Sequence, residues 1–156
     1  IQTRTATGLI WRQPMYKKIL VPLDLQETAL SVRATKVAQD IANCYQSRIS
    51  VLTVIPDFGM PLVANYFPKD AMKQAENEVH AELKRFIAAH FKHPEKIRAE
   101  VDGGSPHKLI VKHAQKEKVD LIILPATGKD VSKVFLGSSS THVVERSPCS
   151  VLVVRP

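Results

Sequence analysis

Residues 17–41, KKILVPLDLQETALSVRATKVAQDI, change their apolar pattern halfway along. KKILVPL (17–23) carries a continuous apolar run of the kind that suits a strand buried on both faces. Further on, Leu30, Ala34, Val37, Ala38 and Ile41 recur at helical spacing, which gives a helix with one buried stripe. A strand running straight into an amphipathic helix is the repeating half of a parallel α/β fold.

The rest of the chain repeats the alternation. ISVLTVI (49–55), IRAEVD (97–102), DLIILP (120–125) and CSVLVVR (149–155) are strand candidates. Lys69 to roughly His93 has Met72, Ala75, Val79, Leu83, Phe86 and Ile87 at helical spacing. Ser105 before Pro106 reads as an N-cap and first helical position, followed by Leu109, Ile110 and Ala114. A last helix begins at Gly137, Ser138 and Ser139. ILVPL and LIIL are continuous apolar runs and belong in the sheet's middle, whereas IRAEVD alternates strictly and belongs at an edge. With right-handed crossovers this predicts a flavodoxin-like, doubly wound sheet of five parallel strands in the order 3-2-1-4-5 with four helices. The fifth strand, SVLVV, then forms the other edge. An apolar edge needs a cover, and a second copy of the chain is the simplest one.

The chain has 156 residues, of which 44% are apolar and 24% charged, enough for one domain with its own core. Residues 1–14, IQTRTATGLIWRQP, show no regular period and read as a non-native leader before Met15, leaving 15–156 as the single domain. Two of the seven surplus positive charges, Arg4 and Arg12, lie in that leader. Elsewhere basic and acidic residues mix, as in KQAENEVHAELKR, so the pattern is that of a solvated face and no nucleic acid partner is expected. No apolar run approaches a membrane span. Cys44 and Cys149 lie far apart within apolar patterns, which predicts buried, inert thiols and a cytoplasmic location.

In an open sheet of this type ligands bind beyond the carboxyl ends of the strands, where the order switches between the first and fourth. Asp24 follows the first strand there, and PATGKDVSKVFLGSSSTHVVERSPCSVLVV (125–154) leaves the fourth. Gly128 permits close approach, and Gly137, Ser138 and Ser139 offer unpaired N–H groups and hydroxyls at a helix start, which together suit phosphate. The same residues also suit a plain turn and a helix cap. Neither a GxxxxGK[ST] loop nor a GxGxxG fingerprint is present.

KKILVPLD, Gly104-Ser105-Pro106, VDLIILP and VFLGSSSTHVVERSPCSVLVV, in that order, closely resemble the bacterial universal stress protein family over Tyr16 to Arg155. FGMPLVANYFPKD and the short loop before LGS look like its small single-domain F/G branch. The resemblance implies an adenine-nucleotide alpha-hydrolase-like sheet and a site for ATP or a related adenine nucleotide, with or without Mg. It maps the site to Asp24, Val54, Leu124, Thr127, Gly128, Gly137, Ser138 and Ser139. Within it, Asp24 would sit near the adenosine, and the Val54 backbone would meet adenine. The family's ATP-binding loop runs Gly, two residues, Gly, nine residues, then Gly and Ser or Thr. Here Pro125 replaces the first glycine, removing one N–H, and eight residues separate Gly128 from Gly137.

His90 and His93 are expected at a solvated helix end, and His107, His113 and His142 at the surface or behind the site. PDFGMPLVANYFPKD (56–70) is either a lid over the ligand or a packed connection. No base or carboxylate pair accompanies Ser138, so no catalytic residue is assigned and the chain reads as a binding protein. The resemblance implies a stress-related regulatory or protective module, homodimeric through the C-terminal strand. The alternatives are a slow ATPase or nucleotidyl-transfer enzyme on the same pocket, and a dimeric adaptor that needs no nucleotide.

Overall fold

In a computed structural model, residues 14–56, 69–126 and 137–155 are described. Strand β1 (Lys18–Pro22) leads to helix α1 (Thr28–Tyr45) and strand β2 (Arg48–Pro56). Helix α2 (Lys69–His90) follows, then a single 3-10 turn (Pro94–Lys96) and strand β3 (Arg98–Gly104). Helix α3 (Pro106–Glu117), strand β4 (Leu121–Pro125), helix α4 (Ser138–Arg146) and strand β5 (Ser150–Val154) complete the order. All pairings are parallel and the sheet order is β3-β2-β1-β4-β5, as the strand patterns predict.

The continuous apolar runs are explained by two separate cores. Ile19, Val21, Ile49, Val51, Leu121 and Ile123 point to one face, where Ala34 and Ala38 of α1 and Leu83, Phe86 and Ile87 of α2 cover them. Leu20, Leu52, Ile122 and Leu124 point to the other, against Ile110 and Ala114 of α3 and Val143 of α4. Successive strand residues face opposite ways, so a strand covered on both sides must be apolar at every position.

Polar groups fix where the strands begin. One Asp120 carboxylate oxygen accepts hydrogen bonds from the backbone N–H groups of Lys17 and Lys18, each at 2.8 Å, and so ties the start of β1 to the residue before β4. Ser31 and Thr35 are buried polar residues of α1 and are satisfied locally. The Ser31 hydroxyl donates to the Asp24 carbonyl at 2.8 Å, and Thr35 donates to the Ser31 carbonyl at 2.8 Å. Two helices end on non-glycine residues in the left-handed region, Gln46 (φ 56) and Lys118 (φ 53).

Among the described residues, Gly104 is the one whose conformation needs glycine. It is buried at the end of β3 with φ 141, a region that disfavours any Cβ. Changing Gly104 to alanine should therefore cost about 1–3 kcal/mol in urea unfolding. A variant as stable as the parent would show that the turn into α3 relaxes freely.

Several details differ from the sequence reading. Helix α2 stops at His90, three residues before the reading's end point. Ala75 is exposed, whereas Val79 is half-buried and Leu83, Phe86 and Ile87 are buried. Ser105 occupies the N-cap position of α3 without a side-chain capping bond. Cys44 is exposed, because it lies off the stripe formed by Ala34, Ala38 and Ile41. Cys149 is half-buried, and burial pushes its thiol up, with a Ser147 hydrogen bond acting against that and nearby Asp120 adding to it. Both cysteines are free.

Candidate functional site

A cleft of about 480 Å³ opens beyond the carboxyl ends of β1, β2 and β4. That volume is within the range of small-molecule sites. Pro22 to Gln26 enter it from the end of β1, Leu52 to Pro56 from β2, and Leu124 and Pro125 from β4. Helices form the walls: Val79 and Glu82 of α2, Pro106 and Ile110 of α3, and Ser139, Ser140 and Val143 of α4. The chain leaves β1 toward one face of the sheet and β4 toward the other, so the cleft occupies the topological switch point.

Each loop that shapes the cleft is fixed by its own bonds. After β1 the chain turns at Asp24, whose carboxylate accepts from the Gln26 N–H at 2.9 Å. The Asp24 carbonyl accepts from the Glu27 N–H at 3.2 Å. Asp24 thus acts as a turn former while its side chain stays exposed in the cleft. The buried Thr53 hydroxyl donates to the Leu23 carbonyl at 3.3 Å, joining the ends of β1 and β2. Across the sheet, the Ala126 N–H donates to the Val154 carbonyl at 2.8 Å.

The N-cap of α4 is Gly137, with φ −58 and ψ 157. Those angles are open to any residue, so the glycine is not there for backbone strain. It brings no side chain to cap the first turn of α4. Within that helix the Thr141 hydroxyl donates to the Gly137 carbonyl at 3.2 Å, and His142 Nδ1 donates to the Ser138 carbonyl at 3.0 Å.

Of the residues the sequence points to, Asp24, Val54, Leu124 and Ser139 line one cleft. Gly137 and Ser138 start the same helix but are not part of its lining. Thr127, Gly128 and nearly all of the 56–70 segment lie outside the described residues. Thr53, Ile110, Val143 and Glu82 were missed. Ile110 read as ordinary core because a helical stripe looks alike whether it covers a sheet or lines a cavity beyond the sheet's end.

The cleft's chemistry is apolar at its floor and polar at two ends. Among the described lining residues the ionisable side chains are two carboxylates, Asp24 and Glu82. Hydroxyls come from Thr53, Ser139 and Ser140. This set can sandwich a flat apolar ring, accept hydrogen bonds from hydroxyl or amino groups at the Asp24 side, and meet an anion at the α4 side.

The histidines divide. His93 is exposed, while the His90 ring is half-buried and packs on Phe86 at a centroid distance of 4.5 Å. His113 was expected at the surface or behind the site, yet its side chain is only 11% exposed and its Nδ1 lies 3.2 Å from Glu100 Oε2. Arg98 joins that group through Glu100 at 2.6 Å and Glu117 at 3.1 Å, tying α3 to β3. His107 and His142 meet in a tilted ring contact, with centroids 4.7 Å apart. Among the described residues no three His, Cys, Asp or Glu side chains gather as a metal site, and no helix is long and apolar enough to cross a membrane.

The fold and the switch-point cleft together define a doubly wound α/β protein with an open cleft at its strand ends. The sequence model of the universal stress protein family matches residues 15–155, and the chain belongs to that family. Universal stress protein MJ0531 of Methanocaldococcus jannaschii is 30% identical over 146 residues, covering 90% of this chain and 83% of that protein. Universal stress protein G of Shigella flexneri is 28% identical, covering 90% of this chain and all of the relative. Among solved structures, universal stress protein UspA from Lactobacillus plantarum superposes with a TM-score of 0.67 at 27% identity, covering 90% of this chain and 98% of that one. Protein MJ0577 gives 0.71 at 29% identity, covering 91% and 97%. A universal stress protein solved in complex with cAMP shares the fold at a TM-score of 0.64 and 24% identity, covering 90% and 97%.

Proposed function

We propose that the cleft binds ATP or a related adenine nucleotide and that the protein acts as a nucleotide-responsive regulatory or protective module. The observation that carries this reading is the start of α4 at the switch point, where the N-cap is a glycine and Ser139 lines the cleft. N–H groups in the first turn of a helix lack intrahelical partners and carry the positive end of its dipole, which favours phosphate. The base would lie on Leu52, Val54, Leu124 and Ile110, with Asp24 accepting from the ribose. Gly137 and Ser138 would add N–H groups, and Thr127 and Gly128 would close the loop. Gly137 would admit the phosphates because it lacks a Cβ and not because of a special φ. The cAMP complex of a fold relative concerns that protein; here the cleft's own chemistry supports the nucleotide.

The test is a mass spectrum of small molecules released when the purified protein is denatured. Co-purified adenine nucleotide is expected. Protein that releases none and takes up none on incubation with ATP would leave the nucleotide-independent adaptor as the better reading.

The same reading includes a homodimer through β5. Among the described residues that strand pairs only with β4, and Leu152 is 37% exposed on it. An unpaired apolar edge recruits another strand unless it is blunted. Proline at Leu152 or Val153, whichever N–H faces the partner, should convert a dimer to monomer in sedimentation. A parent chain that sediments as a stable monomer at micromolar concentration would contradict the pairing.

A further inference from the structure

We propose that His107 and His142 form a two-histidine site for a divalent transition metal of the zinc class, joining the starts of α3 and α4 outside the cleft lining. The two residues lie 35 positions apart in sequence, yet their ring centroids are 4.7 Å apart, with a tilt of 35° between the ring planes. They belong to neighbouring helices, His107 directly after Pro106 in the first turn of α3 and His142 one turn into α4.

The hydrogen bonds prepare the rings for coordination. His142 Nδ1 donates to the Ser138 carbonyl at 3.0 Å, which fixes the tautomer and leaves the Nε2 lone pair on an exposed ring. A second ring nitrogen held by a backbone carbonyl is the arrangement found behind metal-bound histidines, where it orients the ring and raises its basicity. Ser105 Oγ lies 3.3 Å from His107 Nδ1 and 3.5 Å from its Nε2. The hydroxyl can accept from whichever nitrogen carries the proton, so the other keeps a lone pair.

Imidazole pairs select zinc, copper and nickel over magnesium or calcium, which prefer oxygen. With two protein ligands the remaining positions belong to water or to an anionic oxygen, consistent with the lack of any three-residue cluster among the described residues. The positive helix ends work against a bare cation by only roughly twofold to fivefold each at exposed sites. Pro106 and Ser139 line the cleft from the same two helix starts, so an anion there could share the metal. The metal site itself does not rest on the nucleotide reading.

The experiment is a calorimetric titration of the full chain with Zn²⁺ alone, without nucleotide, alongside His107→Ala, His142→Ala and the exposed His93→Ala. Saturable binding is expected in the parent and in His93→Ala, with a loss of about 10–100-fold or more in each of the other two. Cobalt(II) should give visible d–d absorption without a thiolate charge-transfer band, which separates the site from Cys44 and Cys149. Thermal unfolding of each variant without metal should match the parent, since both rings are at least partly solvent-exposed. Wild-type affinity in both variants, no saturable binding in the parent, or a cobalt–thiolate band would overturn the proposal.

Discussion

Replacing Ile122 with alanine is expected to remove about 2–5 kcal/mol of stability, a large share of the 5–15 kcal/mol that holds a domain of this size. Ile122 lies in the middle of β4 with no exposed surface, among Leu20, Leu52, Leu124 and Val143. Truncation forfeits the burial of the lost methyl and methylene groups and leaves a cavity, because α3 and α4 are held by other contacts and cannot fully collapse into it. Urea unfolding should show a lower midpoint at an unchanged slope. Leu152→Ala, at an exposed position on β5, should change the monomer's stability by no more than about 0.5 kcal/mol. If Ile122→Ala costs as little, the α3–α4 layer is not packed as described.

Ser139→Asp is expected to separate folding from binding. Ser139 lies in the first turn of α4 and lines the cleft. A carboxylate in that turn favours the helix by about 0.3–1 kcal/mol, so the melting temperature should hold or rise. The same charge would face the phosphates. Two unit charges about 4 Å apart near a protein surface repel by roughly 4 kcal/mol, so ATP affinity should fall roughly 100-fold to 1,000-fold. Adenosine, which has no phosphate, should lose far less. A variant that binds ATP like the parent would put the phosphates elsewhere.

The strand order was legible because burial on both faces leaves a direct mark on sequence. ILVPL and LIIL are apolar at successive positions since both of their faces are covered, and IRAEVD is not because β3 lies at the edge. Periodicity reports which side of a helix is apolar but not how far the sheet beneath it reaches. That is why Ala75 fits the stripe of α2 and is nevertheless exposed. Cys44 is exposed for a different reason, since it lies off the stripe of Ala34, Ala38 and Ile41. Asp120 read only as the start of a strand, since nothing local to it shows that its acceptors' partners are Lys17 and Lys18, about a hundred residues away.

The site was partly legible for a related reason. Asp24, Val54 and Leu124 come together because parallel strands place their carboxyl ends side by side, and Ser139 joins them because α4 begins there. Glu82 was not legible, since one glutamate in KQAENEVHAELKR looks like its neighbours until α2 is docked against β3 and its side chain lines the cleft. Gly137 was legible as the start of the last helix, and it is the N-cap of α4 with φ −58.

Calorimetric titration of the 156-residue chain with ATP tests the central claim most directly. The account predicts saturable binding of one nucleotide per chain, with the Ser139→Asp variant folded and its isotherm flat over the same range. An isotherm that is flat for the parent chain at millimolar ATP, in protein shown to be folded and free of co-purified nucleotide, would contradict it.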